Sequence, residues 1–275
     1  MSADTVHPNG TDTIVLIHGL WVTALSWEHW ARRYQARGYR MLAPNWPGMD
    51  GGVDRLRRDP SAIAGLGVTE IADHYDHIIR QLGRPPVIIG HCLGGLVVQI
   101  LLDRGLGAAG VAINPAPARG VRKLPLSTPR AGFPVLRNPA NRHRAVALTP
   151  RQFHYAFTNT LDQQQAAAVY ERYHVPAPGR TIYQLSFANL TPHAATRVDF
   201  GNSLRVPLLL IAGGTDHVFP ALVARSSLRQ YRKSKAVTGY REFPGRSHYT
   251  IGEPGWEQVA DHTLRWAMDN ADKDT

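Results

Sequence analysis

Hydrophobic residues along the chain fall into short unbroken runs, and stretches of helical spacing separate one run from the next. Thr13-Ile14-Val15-Leu16-Ile17 is a β-branched apolar run ending at His18-Gly19, the pattern of a strand buried on both faces. Ser26 to Gln35 then shows helical spacing and stops at Gly38. Tyr39 to Ala43 reads as a second strand closed by Pro44 and Pro47, and a polar, Gly-rich connection follows from Gly48 to Gly67. The pattern next places Thr69 as the cap of a helix with apolar positions Ile71, Ile78, Ile79 and Leu82, ended by Gly83. Pro86 to Gly90 is a strand, Leu96 to Asp103 an apolar helix and Ala108 to Asn114 another strand. This alternation predicts an α/β protein with a mostly parallel sheet and helices on both faces.

Beyond residue 115 the strand period disappears. Half of the 20 prolines lie between 115 and 192, together with helical stretches near Arg151 to Phe157 and Asp162 to His174 and a share of the aromatics that includes Phe153, Tyr155 and Phe157. Alternation resumes with the strand Val206 to Ala212, a helix from Pro220 to Tyr231, the strand Val237 to Phe243 and a last helix from Trp256 to Met268. The expected organisation is a core of residues 1–115 and 201–275 carrying a helical cap or lid of residues 116–200.

Composition adds bounds rather than identity. The 275 residues are 43% hydrophobic and 19% charged, which is ordinary for a globular chain and enough for one large domain. No apolar run approaches the roughly 18 residues of a membrane span, and Met1-Ser2-Ala3-Asp4 has neither a basic nor an apolar leader, so a soluble, cytoplasmic protein without a membrane partner is expected. The net charge of +10 comes mostly from arginine, 27 of the 31 basic residues, scattered from Arg32 to Arg265. Such scatter fits a compositional bias better than a nucleic-acid stripe, and no nucleic-acid partner is expected. Cys92 is the only cysteine, which rules out an internal disulfide and cysteine-rich zinc sites.

That cysteine sits in Gly90-His91-Cys92-Leu93-Gly94-Gly95, between a buried strand and a helix. A sharp turn there lifts the central side chain above the sheet edge at a helix N-terminus, and glycines at 90 and 94 suit it because the backbone passes too close for a Cβ. The arrangement resembles the nucleophile elbow of α/β-hydrolase fold enzymes, with cysteine where serine is usual. The resemblance runs from about Thr13 to Met268. It implies an oxyanion hole from the backbone N–H groups of Leu20, after His18-Gly19, and Leu93. It further implies Asp216 as the acid after its strand and His248 as the base after the next, in the family's order of nucleophile, acid, histidine. Trp21, His91, Phe153, Tyr155 and Phe157 are the residues expected to line the substrate site.

Each residue type has a chemical reason. A helix N-terminus and a nearby imidazolium favour thiolate, so Cys92 is suited to attack, while His248 moves the proton and Asp216 orients the imidazole. A lone cysteine is usually a small buried hydrophobe, and here its place in the turn argues for chemistry instead. Ser26, Ser61 and Ser247 lie in no such turn. Gly105-Leu106-Gly107-Ala108-Ala109-Gly110 matches a dinucleotide pattern but leads from helix into strand, the reverse of that site. Asp73-His74-Tyr75-Asp76-His77 reads as a solvated helix face, so neither cofactor nor metal is expected.

Cysteine elbows also occur in dienelactone hydrolases and polyhydroxyalkanoate synthases; the chain departs from the first in its cap and spacing and from the second in length. Overall it looks more like capped esterases of the haloperoxidase and epoxide-hydrolase-like branch, whose nucleophiles are mostly serine or aspartate. The resemblance implies a hydrolase acting on an apolar or aromatic carboxylic ester, thioester or lactone, a small-molecule acyl substrate, through an acyl-Cys92 intermediate. An acyltransferase or cyclase would use the same residues. A non-catalytic ligand-binding protein on this scaffold is the third alternative, and an ordered base argues against it.

Overall fold

The computed structural model describes residues 11–123 and 125–271, so the Met1-Ser2-Ala3-Asp4 start lies outside the described residues. Eight strands are formed: β1 Thr13–Ile17, β2 Arg40–Leu42, β3 Val87–His91, β4 Ala109–Ile113, β5 Ala145–Val146, β6 Ala177–Pro178, β7 Leu208–Gly213 and β8 Thr238–Phe243. Six of them make one sheet in the order β2-β1-β3-β4-β7-β8, parallel throughout, and β5 pairs with β6 as a separate antiparallel ribbon. The helices are α1 Glu28–Gln35, α2 Gly52–Arg58, α3 Val68–Arg80, α4 Leu93–Asp103, α5 Ser127–Leu136, α6 Pro150–Ala156, α7 Gln163–Tyr173, α8 Gly179–Ser186, α9 Ala221–Tyr231 and α10 Trp256–Ala271. None is long and apolar enough to cross a membrane.

Strand period divides the core into two layers. Ile14, Leu16, Val87, Ile89, Val111, Leu209 and Ile211 pack with Trp30 and Tyr34 of α1 and Leu264 of α10. Their alternates Val15, Ile17, Ile88, Ala112, Leu208 and Leu210 pack with α3, α4 and α9 on the other face. Both faces of each central strand are therefore dry, which is why those strands read as unbroken apolar runs. Trp27 and Trp30 meet edge to face at 5.2 Å inside the α1 layer, so both are core. The chain turns one way from β1 to β2 and the other way from β1 to β3. Such a switch of direction leaves a crevice at the carboxyl ends of β1 and β3, and those ends carry His18-Gly19 and Cys92.

Several local expectations need correction. The cap of α3 is Gly67 rather than Thr69: Gly67 is extended, and the N–H of Val68 donates to the remote Gln184 Oε1 at 2.8 Å. A remote partner of this kind leaves no mark in local sequence. The connection from Gly48 to Gly67 holds α2 and a short 3-10 turn at Ser61–Ile63. Helix α4 begins at Leu93, three residues before the apolar periodicity suggests. Between β4 and β7 the prolines hide α5, which carries Pro134 inside it, and the short α8.

Backbone segments cross very closely at the crevice. A Cβ on Gly90 would fall 2.2 Å from Gly94 O, and one on Gly94 would fall 2.2 Å from Ile17 O. Because the obstacle is backbone, nothing can rotate away. Gly90→Ala or Gly94→Ala should therefore destabilise the fold by roughly 3 kcal/mol or prevent folding. Urea unfolding checks this, and a change under about 0.5 kcal/mol would contradict the close crossing.

Candidate active site

Cys92 caps α4 with φ 58 and ψ −120, a left-handed conformation that costs an ordinary residue energy. Among the described residues only Trp21, Cys92 and Asn114 combine positive φ with a side chain, and they follow β1, β3 and β4 respectively. Backbone bonds hold the turn: Cys92 N–H donates to Ile113 O at 3.0 Å, and Cys92 O accepts from Gly95 N–H at 3.0 Å and Ala116 N–H at 2.9 Å. Leu93 opens the helix, so its N–H is one of the first-turn donors without an intrahelical acceptor. Gly19 presses against Cys92, with a Cβ there only 2.5 Å from Cys92 Cβ and 3.2 Å from Sγ. Leu20 follows directly, which brings both expected oxyanion residues beside Cys92.

Asp216 follows β7 and His248 follows β8. The His248 Nδ1–H donates to Asp216 Oδ2 at 2.7 Å, and both side chains are wholly buried. The other carboxylate oxygen, Oδ1, accepts from the N–H groups of Val218 at 2.7 Å and Phe219 at 3.0 Å. With Nδ1 committed to the acid, Nε2 is the nitrogen left for chemistry, and it has no hydrogen-bond partner in this state. Burial disfavours the imidazolium, but the charges of Asp216 and then Cys92 outweigh burial and lift the His248 pKa to about 10. His248 thus carries its proton as an imidazolium at neutral pH.

Two residues that sequence reasoning did not place in support of the base hold its backbone. Asn114, at the end of the strand expected over Ala108 to Asn114, donates from Nδ2 to Ser247 O, His248 O and Thr250 Oγ1 at 3.1–3.2 Å. Its Oδ1 accepts from Gly213 N–H at 2.6 Å, so one side chain ties the acid loop to the histidine loop. Its position at the end of β4 was the only available signal. His91, expected against substrate, is instead buried and donates from Nε2 to His248 O at 2.8 Å. Burial first and the His248 charge second push its pKa well below the usual value, so it stays neutral.

The expected lining residues divide. Trp21 is buried, donates from Nε1 to Val146 O at 3.1 Å and accepts at its carbonyl from Val175 N–H at 2.9 Å. Phe157 stands edge-on to His248 at 4.8 Å and to Trp21 at 6.1 Å, and Phe153 stacks behind it at 4.6 Å. Tyr155 is on the opposite side of α6, over His217 at 4.7 Å, because two residues of helix is more than half a turn. His217 bonds Tyr155 O and takes no part in the acid pair. Phe219, not singled out beforehand, also faces His248 at 5.8 Å. Of the remaining acidic and histidine side chains weighed earlier, Asp73 and Asp76 pair with Arg104, and His74 Nε2 lies 3.0 Å from Asn45 O.

An open parallel sheet with a strained strand-turn-helix elbow at Cys92, at its switch point, defines an α/β-hydrolase architecture. Residues 14–262 match the alpha/beta hydrolase family, and the chain belongs to that family. Among solved structures, a monoacylglycerol lipase from Paleococcus ferrophilus is 22% identical with a TM-score of 0.67, over 94% of each chain. An extracellular alpha/beta-hydrolase from a Paenibacillus species is 19% identical with a TM-score of 0.68, over 95% of this chain and 99% of the other. A pyrethroid hydrolase from Sphingobium faniae is 17% identical with a TM-score of 0.62, over 94% and 97% respectively. No curated protein matches the sequence.

Removing the Asn114 amide leaves buried carbonyls and the Gly213 N–H without partners. Asn114→Ala should cost about 2 kcal/mol of stability, read as a lowered urea midpoint with unchanged slope. An unaltered midpoint would show that these bonds do not hold the two loops.

Proposed function

We propose that the protein hydrolyses carboxylic esters, thioesters or lactones with an apolar or aromatic acyl part through an acyl-Cys92 intermediate. The observation that carries this reading is the fully buried Asp216–His248 pair with its free Nε2 beside a cysteine in a left-handed elbow. The solved structures of similar fold include a lipase, a methylesterase and a pyrethroid hydrolase, which supports the reaction class. In this scheme the Cys92 thiolate attacks the carbonyl carbon, and a C–S bond forms as the carbonyl electrons move onto oxygen. The N–H groups of Leu20 and Leu93 hold that oxyanion. His248 passes its Nε2 proton to the leaving oxygen or sulfur as that bond breaks. The neutral imidazole then takes a proton from water, which attacks the thioester, and loss of sulfur restores thiolate and imidazolium.

Residues 116–200 serve as the cap in this reading. Cys92 and His248 are both closed from solvent, so substrate reaches them only when cap elements shift. The same closure supports a second reading. With Phe157 and Phe219 against His248 and no exposed face at Cys92, a closed acyl-enzyme is shielded from water and suited to transfer its acyl group to a bound acceptor. A cytoplasmic setting, where a single thiol stays reduced, suits either chemistry.

Incubation with an activated aryl ester followed by intact mass should show an acyl adduct that maps to Cys92. Cys92→Ala should lose the adduct and at least about a thousandfold in turnover. Full activity in that variant would exclude the mechanism. If the adduct persists in buffer and discharges only when an amine, alcohol or thiol is added, the transfer reading replaces hydrolysis.

The pH dependence has a defined sign. A raised His248 pKa means the imidazolium is present at neutral pH and is lost as pH rises through about 10, so kcat/KM should fall along a basic limb there. Asp216→Asn removes the largest stabilising charge, and the limb should move down by about one unit or more. A limb that stays in place would mean Asp216 does not govern this proton. His248→Ala combined with Asp216→Asn should cost little more than His248→Ala alone, since both serve one proton transfer.

A further inference from the structure

The charge of the molecule is far from evenly balanced. Between Asp103 and Asp162 the chain contains no carboxylate residue, yet it carries Arg119, Arg122, Lys123, Arg130, Arg137, Arg142, Arg144 and Arg151 in the stretch after β4. The arginines that do pair across to the core, Arg172 with Glu28 and Arg180 with Glu70, lie later in the segment. Among the described residues, Arg130, Arg137 and Arg151 form no ion pair with a carboxylate.

Those three arginines line two adjoining parts of one surface region, referred to together as the groove. One part, of about 330 Å³, lies between α5 and α6 and is lined by Arg130, Phe133, Arg151, Gln152 and Tyr155. A second part, of about 500 Å³, is lined by Arg137, Asn138, Asn141 and Val146. Pro134, Thr149 and Gln152 border both, so the two adjoin. No acidic side chain lines either part. The Arg130 guanidinium is fixed 4.2 Å over the Tyr155 ring, which leaves its edge donors free to meet an anion.

The groove also lies against the reaction centre. Its wall is α6, whose opposite side presents Phe153 and Phe157 to Trp21 and His248. Val146 at one end accepts the Trp21 indole bond, and Tyr155 at the other covers His217, the neighbour of Asp216. A substrate held in the groove therefore needs to reach across about one helix diameter, on the order of 10 Å, to bring a carbonyl to Cys92.

We propose that this groove binds an anionic group of the substrate, phosphate or carboxylate in class, remote from the reacting carbonyl. The proposal rests on the reading of Cys92 as an acyl-accepting nucleophile. Arginines favour such anions through paired charge-assisted hydrogen bonds, and the absence of competing carboxylates leaves the field of the groove uncompensated. The anion sits either on the leaving group or at the far end of the acyl chain.

The test compares substrates matched except for charge. In one arm a given acyl group is presented as its coenzyme A thioester and as its neutral N-acetylcysteamine thioester. In the other, an aryl ester with a terminal carboxylate on the acyl chain is compared with its methyl ester. In one of the arms the charged member should be preferred by about tenfold in kcat/KM at low salt. Arg130→Gln combined with Arg151→Gln, or 0.5 M salt acting on the unaltered protein, should bring that ratio below about twofold. Charged-to-neutral ratios near one in both arms would overturn the proposal. Should no ester or thioester be turned over, the catalytic reading fails by itself, and pyrophosphate then decides the groove. Thermal stabilisation of the unaltered protein that the double variant lacks supports it, and equal or absent stabilisation overturns it.

Discussion

Three stretches of backbone meet around Cys92 with no space for a side chain between them. The end of β1 approaches α4 so closely that Gly94 admits no Cβ, Gly19 lies against Cys92 itself, and β3 enters the turn through Gly90. This crowding forces Cys92 into a left-handed conformation, and the energy for it comes from the dry, fully paired strands on either side. The consequence is geometric. The thiol is fixed at the N-terminus of α4, next to the His18-Gly19 loop, and it cannot relax into the core as a free cysteine side chain would.

The electrostatics depend on that placement. A histidine buried as completely as His248 loses its proton unless negative charge lies close by, as neutral His18 and His91 illustrate in the same crevice. Asp216 supplies the charge, and its second oxygen is held by two backbone N–H groups, so the carboxylate is itself satisfied while buried. Asn114 and His91 fix the His248 carbonyl from below. The base is thereby positioned by its backbone as well as by its ring, through residues that never touch Nε2.

The segment between β4 and β7 is joined to these loops rather than laid over them. Phe157 O accepts from Tyr249 N–H, Asn159 donates to Thr215 O, and Thr160 donates to the buried Glu253 that also holds Ser247. Its apolar side chains merge with the α3 and α4 layer into one cluster. Any shift of α6 is thus felt by the acid and histidine loops together. The uncompensated arginines lie on the far side of that same helix, which links charge at the surface to the aromatic wall of the site by a single element.

Much of this was legible in the sequence because its causes are local. Unbroken apolar runs mark strands that are dry on both faces, and glycines at 90 and 94 around one cysteine mark a turn where backbones cross; Asp216 and His248 followed from their places after successive strands. What the sequence could not show depended on partners far along the chain. The cap of α3 is satisfied by Gln184, the loops are joined by Asn114, and His91 donates to the carbonyl of His248. Helix α5 was hidden by its prolines, and Tyr155 was separated from Phe153 and Phe157 only once α6 fixed which side each residue occupies. Local pattern determined where strands, turns and reactive groups occur, since those follow from period and backbone sterics. Tertiary structure decided which polar group meets which, because a hydrogen bond between residues 100 or more positions apart leaves no trace in the spacing of either.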